Sequence, residues 1–174
     1  ASLFSPEALL IRYREEYEGD LSISIIIQKE VQAEIFGEVF YPAQHPNYDT
    51  NALTEVTALL GMPHDYAEEL HPDIYLADAN RDLILEKHVT TQEYMYLRES
   101  RKSTITGQKG LKRMDISMEW QRRQKLADPY IQDLAMIAKH AADLLDAVVE
   151  LEWAIEGDQI VILHLRRVEE FKFI

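Results

Sequence analysis

Four side chains near the end of the chain combine residue types that could do chemistry together: Glu150, Glu152, His164 and Arg166. Carboxylate oxygens suit Mg²⁺, imidazole nitrogens suit softer cations, and a guanidinium can hold a phosphate through paired hydrogen bonds. Glu152 and His164 could therefore share a metal ion, while Arg166 binds a phosphate. The alternative is a solvent-facing surface with weak cross-strand ion pairs. The residue pattern by itself favours the solvent-facing surface and leaves the metal and phosphate site open as the other interpretation.

A β-hairpin is expected to position these side chains. Residues 149–155 and 159–166 alternate with a period of two around a glycine-containing turn, which predicts two antiparallel strands. A three-residue turn would place Ile155 opposite Gln159. One face of the hairpin is then wholly apolar and is predicted to lie in the core, with Val149, Leu151, Trp153, Val161, Leu163 and Leu165. The opposite face carries the four polar side chains together with Ala154, Ile160 and Ile162.

The rest of the chain mixes helices and strands, which predicts an α+β fold with a mainly antiparallel sheet and flanking helices. Helices are predicted at 6–18 and at 129–147. The second is capped by Asp128, and its predicted apolar stripe consists of Ile131, Leu134, Ala135, Ala138, Ala141, Ala142 and Leu145. Strands are predicted at 21–31, 35–41, 73–78, 82–89 and 92–97. Residues 53–60 fit either a strand or a helix, and residues 100–118 are predicted to be irregular.

Composition excludes several classes of protein. The 174 residues contain no cysteine, so no disulfide framework or thiolate metal site is possible. The longest apolar run, Leu134–Ala138, is far shorter than the ~20 residues of a membrane-spanning helix. No signal peptide is apparent at the start of the sequence. These features predict a cytoplasmic protein without a membrane partner.

Charge is distributed unevenly along the chain. The net charge is −13, yet the segment from Arg98 to Lys125 holds nine bases and three acids. This segment is interpreted as a solvated surface, and an arm that contacts anions or RNA is the alternative. Trp120 is its only aromatic residue, whereas single-stranded nucleic acid is usually held by several stacking aromatics. The composition therefore argues against nucleic acid as a partner.

Several short motifs follow one another in a fixed order along nearly the whole chain. They are Ser2-Leu3-Phe4 with Arg12-Tyr13-Arg14, Ile27-Gln28-Lys29, Gly37-Glu38-Val39-Phe40, Glu55 with Leu60-Gly61, Pro72-Asp73 with Tyr75, and Glu152-Trp153-Ala154 with Gly157-Asp158 and Ile162-Leu163-His164-Leu165-Arg166. This ordered set resembles the nucleotide-binding domain of phosphoenolpyruvate synthases, pyruvate phosphate dikinases and rifampicin phosphotransferases. That domain closes with Asp-Ile-Glu-Trp-Ala, a Gly-Asp turn and Ile-Leu-Gln-Ser-Arg-Pro.

The resemblance implies an ATP-grasp fold, in which two α+β lobes clamp ATP, and residues 1–174 would form the second lobe as a single unit. It implies that Glu152 and His164 bind Mg²⁺, that His164 and Arg166 contact the phosphates, and that Arg166 is a catalytic residue. A hinge whose backbone groups read the adenine is implied for Gln28, Lys29, Glu30 and Val31. ATP and Mg²⁺ are the implied cofactors, and the nucleotide is the implied partner.

The chain also departs from the family pattern. His164 stands in place of a glutamine, Arg167 in place of a proline, Glu30 in place of a methionine and Met62 in place of a glutamate. The family's first lobe and its phosphohistidine domain lie outside this sequence, so the isolated chain is expected to be inactive. The sequence thus predicts an ATP-binding lobe from a longer phosphotransferase. The alternative is a degenerate, non-catalytic module that serves domain or partner contacts.

Overall fold

The structure, a computed structural model, describes residues 6–14, 27, 29–48, 52–63, 70–99 and 110–168 of the chain. The chain divides into two compact units, Ala1–Glu30 and Val31–Ile174. Within the described residues, no helix is both long enough and apolar enough to cross a membrane.

The described part of the first unit contains helix α1 (Pro6–Arg14). Proline suits the first helical position, because the N–H that it lacks would have no partner there. Arg12 and Arg14 lie in the last turn, where positive charge is favourable beside the negative end of the helix dipole. The predicted helix is confirmed over 6–14, and its residues 15–18 lie outside the described residues.

The second unit is built from antiparallel strands and one long helix. In chain order its elements are β1 (Ile35–Tyr41), β2 (Leu53–Leu60), β3 (Asp73–Asp78), β4 (Leu83–His88), β5 (Tyr94–Arg98), β6 (Leu111–Asp115), α2 (Asp128–Leu145), β7 (Val148–Glu156) and β8 (Gln159–Val168). Six strands form one sheet in the order β4-β3-β2-β1-β7-β8, and β5 pairs with β6 as a separate ribbon. All of these pairings are antiparallel. The predicted α+β class is confirmed.

Three predictions about single elements need correction or completion. Residues 53–60 form strand β2, because this segment lies between β1 and β3 in the sheet. The predicted irregular segment 100–118 contains strand β6, whose exposed and charged residues hide the usual apolar alternation. The predicted strand 21–31 is wrong for Ile27 and for residues 29–31, which are not in a strand, while 21–26 and Gln28 lie outside the described residues.

Helix α2 covers one face of the sheet. Its fully or almost fully buried residues recur at helical spacing and confirm the predicted apolar stripe: Ile131, Leu134, Ala135, Ala138 and Ala142. These side chains pack in one cluster with sheet residues that include Val39 and Trp153. Burial of each large apolar side chain contributes about 1.5–3 kcal/mol, so this interface is a main source of the stability of the second unit.

The ends of α2 differ slightly from the prediction. The N-cap residue is Ala127, which makes no side-chain capping hydrogen bond, and Asp128 is the first helical residue. The Asp128 carboxylate instead accepts hydrogen bonds from Lys87 and Gln124, which lowers its pKa, with Lys87 the larger cause. The helix ends at Leu145 because Asp146 adopts a left-handed backbone conformation (φ 48°).

The other face of the sheet carries two small apolar clusters with charged residues between them. Phe40, Leu53 and Leu76 are buried at one end of this face. Met62 and Ala154 are buried at the other end. The charged residues between these clusters include the four that the sequence analysis singled out.

Candidate functional site

The β7–β8 hairpin brings together the four polar side chains of the sequence motif. Glu150 is the register partner of Arg166, and Glu152 is the register partner of His164. Register partners in an antiparallel pair have side chains on the same face of the sheet. The prediction that these four residues share one face is therefore confirmed.

The apolar part of the hairpin prediction is wrong near the turn. The turn contains two residues instead of three, and its Gly157 adopts a φ of 62°. A one-residue change in register moves the side chains of β8 near the turn to the face opposite to the predicted one. The register shifts a second time between Glu152 and Trp153, so the side chains of β8 further from the turn lie on the predicted face. Ile160 consequently packs in the core beneath α2, whereas Leu163 packs in the apolar cluster on the opposite face. The predicted facing is reversed for Ile160, Val161, Ile162 and Leu163.

Two more glutamates join this face from neighbouring strands. Glu38 of β1 is the register partner of Glu152, and Glu55 of β2 is the register partner of Phe40. Neither glutamate was predicted to belong to the site, because local periodicity does not reveal that β1 lies between β2 and β7. We call the combined set the acidic face, and its members are Glu38, Glu55, Glu150, Glu152, His164 and Arg166.

A cavity of about 520 Å³ lies on the acidic face. Glu38, Glu55 and Glu152 contribute to its lining. Its volume falls within the range of about 300–1,000 Å³ that is usual for small-molecule sites. The lining also includes apolar side chains, namely Phe36, Leu59, Ile74 and Leu163. The mixture suits a ligand that has both an apolar part and a charged part.

Gly37 allows a close approach of β1 and β2 beside this cavity. A Cβ atom at Gly37 would lie 1.9 Å from the carbonyl oxygen of Thr57 and 3.0 Å from Cζ2 of Trp153. The next residue, Glu38, donates its backbone N–H to Oγ1 of Thr57 at 3.0 Å. The position of Glu38 on the acidic face therefore depends on the absence of a side chain at Gly37.

Glu150 holds the guanidinium of Arg166. Nη2 of Arg166 donates to both carboxylate oxygens of Glu150, each at 2.8 Å. These hydrogen bonds are the main cause that raises the pKa of Arg166, and the charges of Glu38 and Glu152 act in the same direction. A guanidinium has five N–H donors. Within the described residues Nε and Nη1 of Arg166 make no hydrogen bond, so they can donate to an anionic ligand.

Glu152 and His164 are both exposed on the acidic face. No hydrogen bond or ion pair within the described part of the chain engages either side chain. The pair can supply one carboxylate oxygen and one imidazole nitrogen, which is a donor set that divalent cations accept. In the described residues, no group of three or more His, Asp or Glu side chains is arranged to hold a metal ion. A cation bound by this pair would need further ligands from a bound molecule.

The predicted adenine hinge is described only in part. Gln28 lies outside the described residues, and Lys29 and Glu30 are exposed residues of the first unit. Val31 belongs to the second unit, where it packs against a cluster that contains Met62. Met62, which stands where the family pattern has a glutamate, is therefore part of an apolar cluster and contributes no charge.

The basic segment 98–125 is partly neutralised in the structure. Arg113 lies over the ring of Tyr94, with its Cζ atom 3.9 Å from the ring centre. Arg123 lies over the ring of Trp120 at 4.3 Å. Each of these arginines also forms an ion pair with a nearby carboxylate. These contacts favour the interpretation of the segment as a solvated surface.

Lys125, at the end of this segment, is a buried residue that the sequence analysis missed. Its ammonium pairs with Asp73, and the two side chains are 1% and 0% exposed. Asp73 also accepts hydrogen bonds from the hydroxyl of Tyr75 at 2.7 Å and from the backbone N–H of Thr90 at 2.9 Å. Burial and the Asp73 carboxylate raise the pKa of Tyr75. Because 52 residues separate Lys125 from Asp73, no local pattern could pair them.

Fold and site together define the class of this protein, an ATP-grasp-like α+β lobe with a carboxylate-lined cavity on one face of an antiparallel sheet. The chain belongs to the family described as pyruvate phosphate dikinase, AMP/ATP-binding domain, which matches residues 1–172. The family resemblance drawn from the sequence motifs is thereby confirmed.

Two curated relatives are each described as a probable phosphoenolpyruvate synthase. The chain is 24% identical over 99% of its length to a probable phosphoenolpyruvate synthase of Methanocaldococcus jannaschii. It is 26% identical over 96% of its length to a probable phosphoenolpyruvate synthase of Archaeoglobus fulgidus. The matched segments make up 14% and 21% of those two proteins. The chain therefore corresponds to one part of each much longer relative.

Proposed function

We propose that this chain is the ATP-binding lobe of a phosphotransferase of the phosphoenolpyruvate synthase type. The observation that carries the proposal is the placement of Glu152, His164 and Arg166 on one face of the sheet, where Glu152 also lines a cavity of about 520 Å³. The match to an AMP/ATP-binding domain family supports a nucleotide as the ligand.

The acidic face needs a cation in order to bind a polyphosphate. The acidic face carries four glutamates and one arginine, and a nucleoside triphosphate adds further negative charge. Two like charges about 4 Å apart repel each other by about 4 kcal/mol near a protein surface. A divalent cation between carboxylate and phosphate oxygens reverses the sign of that interaction. Mg²⁺ is the proposed cation, since it usually combines one or two carboxylates with substrate phosphates.

Each side chain has a distinct part in this proposal. Glu152 and His164 bind the cation, which neutralises charge on the phosphates when it is bound. Arg166 donates its Nε and Nη1 hydrogens to phosphate oxygens and acts as the catalytic residue, because phosphoryl transfer depends more on positioning and charge neutralisation than on covalent chemistry. Glu150 fixes the orientation of Arg166 through the two hydrogen bonds at Nη2.

Backbone groups of the hinge segment read the adenine in the same proposal. The support is that Ile27-Gln28-Lys29 is one of the ordered motifs by which the chain resembles the nucleotide-binding domain of the family. The residues assigned to this role are Gln28, Lys29, Glu30 and Val31.

The remaining parts of the phosphotransfer machinery are proposed to belong to a longer protein. They are a first ATP-grasp lobe and a phosphohistidine domain, and the support is that this chain spans only 14% and 21% of its two relatives. The isolated chain is accordingly expected to catalyse no complete reaction. A cytoplasmic location belongs to the same proposal, because ATP is supplied there.

Calorimetric titration of ATP at saturating Mg²⁺ tests the proposal on the protein that carries this chain. Glu152→Gln is expected to weaken ATP binding by at least about tenfold, or about 1.4 kcal/mol, because a neutral amide is a weak ligand for Mg²⁺. The fold should persist, since Glu152 is exposed. Glu93→Gln, at an exposed glutamate outside the acidic face, is the matched control. Equal affinities for the wild type and Glu152→Gln contradict the proposal.

A non-catalytic module that serves domain or partner contacts is the second candidate. The observation in its favour is Met62, which is 5% exposed within an apolar cluster at a position where the family pattern has a glutamate. The same titration separates the two candidates. No measurable affinity for ATP with Mg²⁺, in a protein that contains both lobes, is the result expected for such a module.

A further inference from the structure

We propose that a second cavity, on the α2 side of the sheet, binds a small carboxylic acid that has an apolar aliphatic or aromatic body. We call it the back cavity. Its volume is about 580 Å³, which is within the usual range for small-molecule sites. Among the described residues, its lining shares no member with the lining of the cavity on the acidic face. The inference therefore does not depend on the proposed function.

The back cavity and the acidic face lie on opposite sides of the same two strands. The register partners Ile35 and Leu60 line the back cavity, and the next pair of β1 and β2, Phe36 and Leu59, lines the cavity on the acidic face. Successive side chains of a strand point to opposite faces of the sheet. Ile35 also packs against the core cluster beneath α2. The sheet thus separates a ligand in the back cavity from a ligand on the acidic face.

One part of the lining is apolar and comes from the sheet, the β5–β6 ribbon and the residue that follows β6. Its members are Ile35, Leu60, Met95, Leu97 and Ile116. These side chains carry no charge and no strong hydrogen-bonding group, so they suit the hydrocarbon part of a ligand. Each CH₂ group buried against them contributes about 0.8 kcal/mol.

The other part of the lining is a turn that supplies hydrogen-bond donors from Ser117, Trp120 and Arg123. Cζ of Arg123 lies 4.3 Å from the centre of the Trp120 ring, and Nη2 of Arg123 donates to Glu119. Within the described part of the chain, Nε and Nη1 of Arg123, the indole N–H of Trp120 and the hydroxyl of Ser117 make no hydrogen bond. A carboxylate accepts several hydrogen bonds and pairs well with a guanidinium. The turn therefore suits the anionic end of a ligand.

The other charged side chains of the lining are engaged elsewhere. Lys125 pairs with Asp73 in the protein interior, and Asp115 pairs with Arg113. The carboxylate of Glu34 accepts a hydrogen bond from a backbone N–H of the β7–β8 turn. The spare donors of the 117–123 turn consequently define the polar end of the back cavity.

Hydrogen bonds hold this turn in place before any ligand binds. The backbone N–H of Trp120 donates to the carbonyl of Ser117 at 2.8 Å. Nε2 of Gln121 donates to the carbonyl of Ile116, and the backbone N–H of Gln92 donates to the carbonyl of Gln121, each at 2.9 Å. Groups that are already fixed lose little conformational entropy when a ligand binds.

The test is a calorimetric titration of 3-phenylpropionate into the protein that carries this chain. Its neutral analogue 3-phenylpropionamide and its cationic analogue 3-phenylpropylamine have the same apolar body. The wild type is expected to bind the carboxylate at least about tenfold more tightly than either analogue, because charge-assisted hydrogen bonds are stronger than neutral ones. Arg123→Met keeps an apolar side chain without the guanidinium and should reduce the ratio over the amide to about twofold or less. Arg122→Met, at an exposed arginine outside the lining, is the matched control and should retain the wild-type ratio.

Methyl NMR of ¹³C-labelled methionine locates the bound probe without reference to its affinity. The signal of Met95, which lines the back cavity, is identified by Met95→Leu and should shift on addition of 3-phenylpropionate, because an aromatic ring changes the field at a nearby methyl group. The signal of Met136, which is exposed on α2, should stay unchanged. Both Arg122 and Arg123 are exposed, so neither substitution is expected to disturb folding, and circular dichroism verifies this.

The possible results separate this inference from the proposed function. Equal affinities for the three probes, or tighter binding of the amine, overturn the assignment of the ligand class. An unchanged Met95 signal at saturating probe overturns the assignment of the site. So does competition with ATP, seen as an apparent Kd for the probe that rises in proportion to the ATP concentration, because the sheet separates the two cavities. Failure to bind ATP contradicts the proposed function alone.

Discussion

The buried pair of Lys125 and Asp73 allows a sharp test of what stabilises the fold. The substitution Lys125→Met keeps most of the length of the side chain but removes the ammonium that faces Asp73. Both side chains are almost fully inaccessible to solvent, so no water replaces the lost cation. The carboxylate of Asp73 keeps hydrogen bonds from the hydroxyl of Tyr75 and from the backbone N–H groups of Thr90 and residue 125, but its charge is no longer balanced.

The magnitude follows from the burial and from the remaining donors. Removal of one partner from a buried ion pair costs about 3–5 kcal/mol. The hydrogen bonds to Asp73 from Tyr75, from Thr90 and from the backbone of residue 125 remain, so we expect a loss near the lower end, about 3 kcal/mol. At about 2–4 °C per kcal/mol for a chain of this size, the melting temperature should fall by about 6–12 °C. Asp73→Asn combined with Lys125→Met should recover a large part of this loss, because no unpaired charge is then buried.

Urea unfolding followed by circular dichroism measures these changes in the free energy of unfolding. Lys87→Met is the matched control, since Lys87 pairs with Asp128 at the surface, where the side chains are 33% and 52% exposed. Such exposed pairs contribute little, so the control should lose only a small fraction of what Lys125→Met loses. A loss for Lys125→Met no larger than that of the control would refute the reasoning. Additive effects of the substitutions at Asp73 and Lys125 would refute the coupling between them.

Two further predictions concern the surroundings of the acidic face and the edge of the sheet. Gly37→Ala should lower the free energy of unfolding, measured in urea, by about 1–3 kcal/mol or more, because its Cβ would lie 1.9 Å from the backbone oxygen of Thr57. Gly110→Ala is the control, since its Cβ would meet only a flexible side chain. Equal losses of stability in the two variants would contradict the argument. Tyr48→Phe should raise the pKa of Glu86 towards its usual value, since the hydrogen bond from Tyr48 is the main cause that lowers it. A carboxyl group whose pKa is lowered on folding stabilises the fold at pH values above its usual pKa, and this stabilisation is lost as the pH falls through the folded-state pKa. The wild type should therefore lose more stability than Tyr48→Phe on acidification below about pH 4.5. Carboxyl NMR titration measures the pKa, and an unchanged pKa in the variant would disprove the role of Tyr48.

The sequence by itself determined most of the local elements and four of the six members of the acidic face. The 3.6-residue periodicity of α2 identified its buried residues, and the two-residue periodicity of β7 and β8 placed Glu150, Glu152, His164 and Arg166 on one face. These features follow from the spacing of neighbouring side chains within one element or one hairpin. The ordered motifs identified the family for the same reason, since they are read along the chain.

Only the tertiary structure decided what comes from distant parts of the chain. Glu38 and Glu55 join the acidic face because β1 lies between β2 and β7, and this strand order follows from the burial of whole faces of the sheet. The burial of Lys125 depends on Asp73, which lies 52 residues earlier in the sequence. The facing of Ile160 and Leu163 depended on a turn that is one residue shorter than expected. Periodicity reports which side chains share a face, whereas the identity of their neighbours across the sheet is set by packing between elements that the chain brings together from far apart.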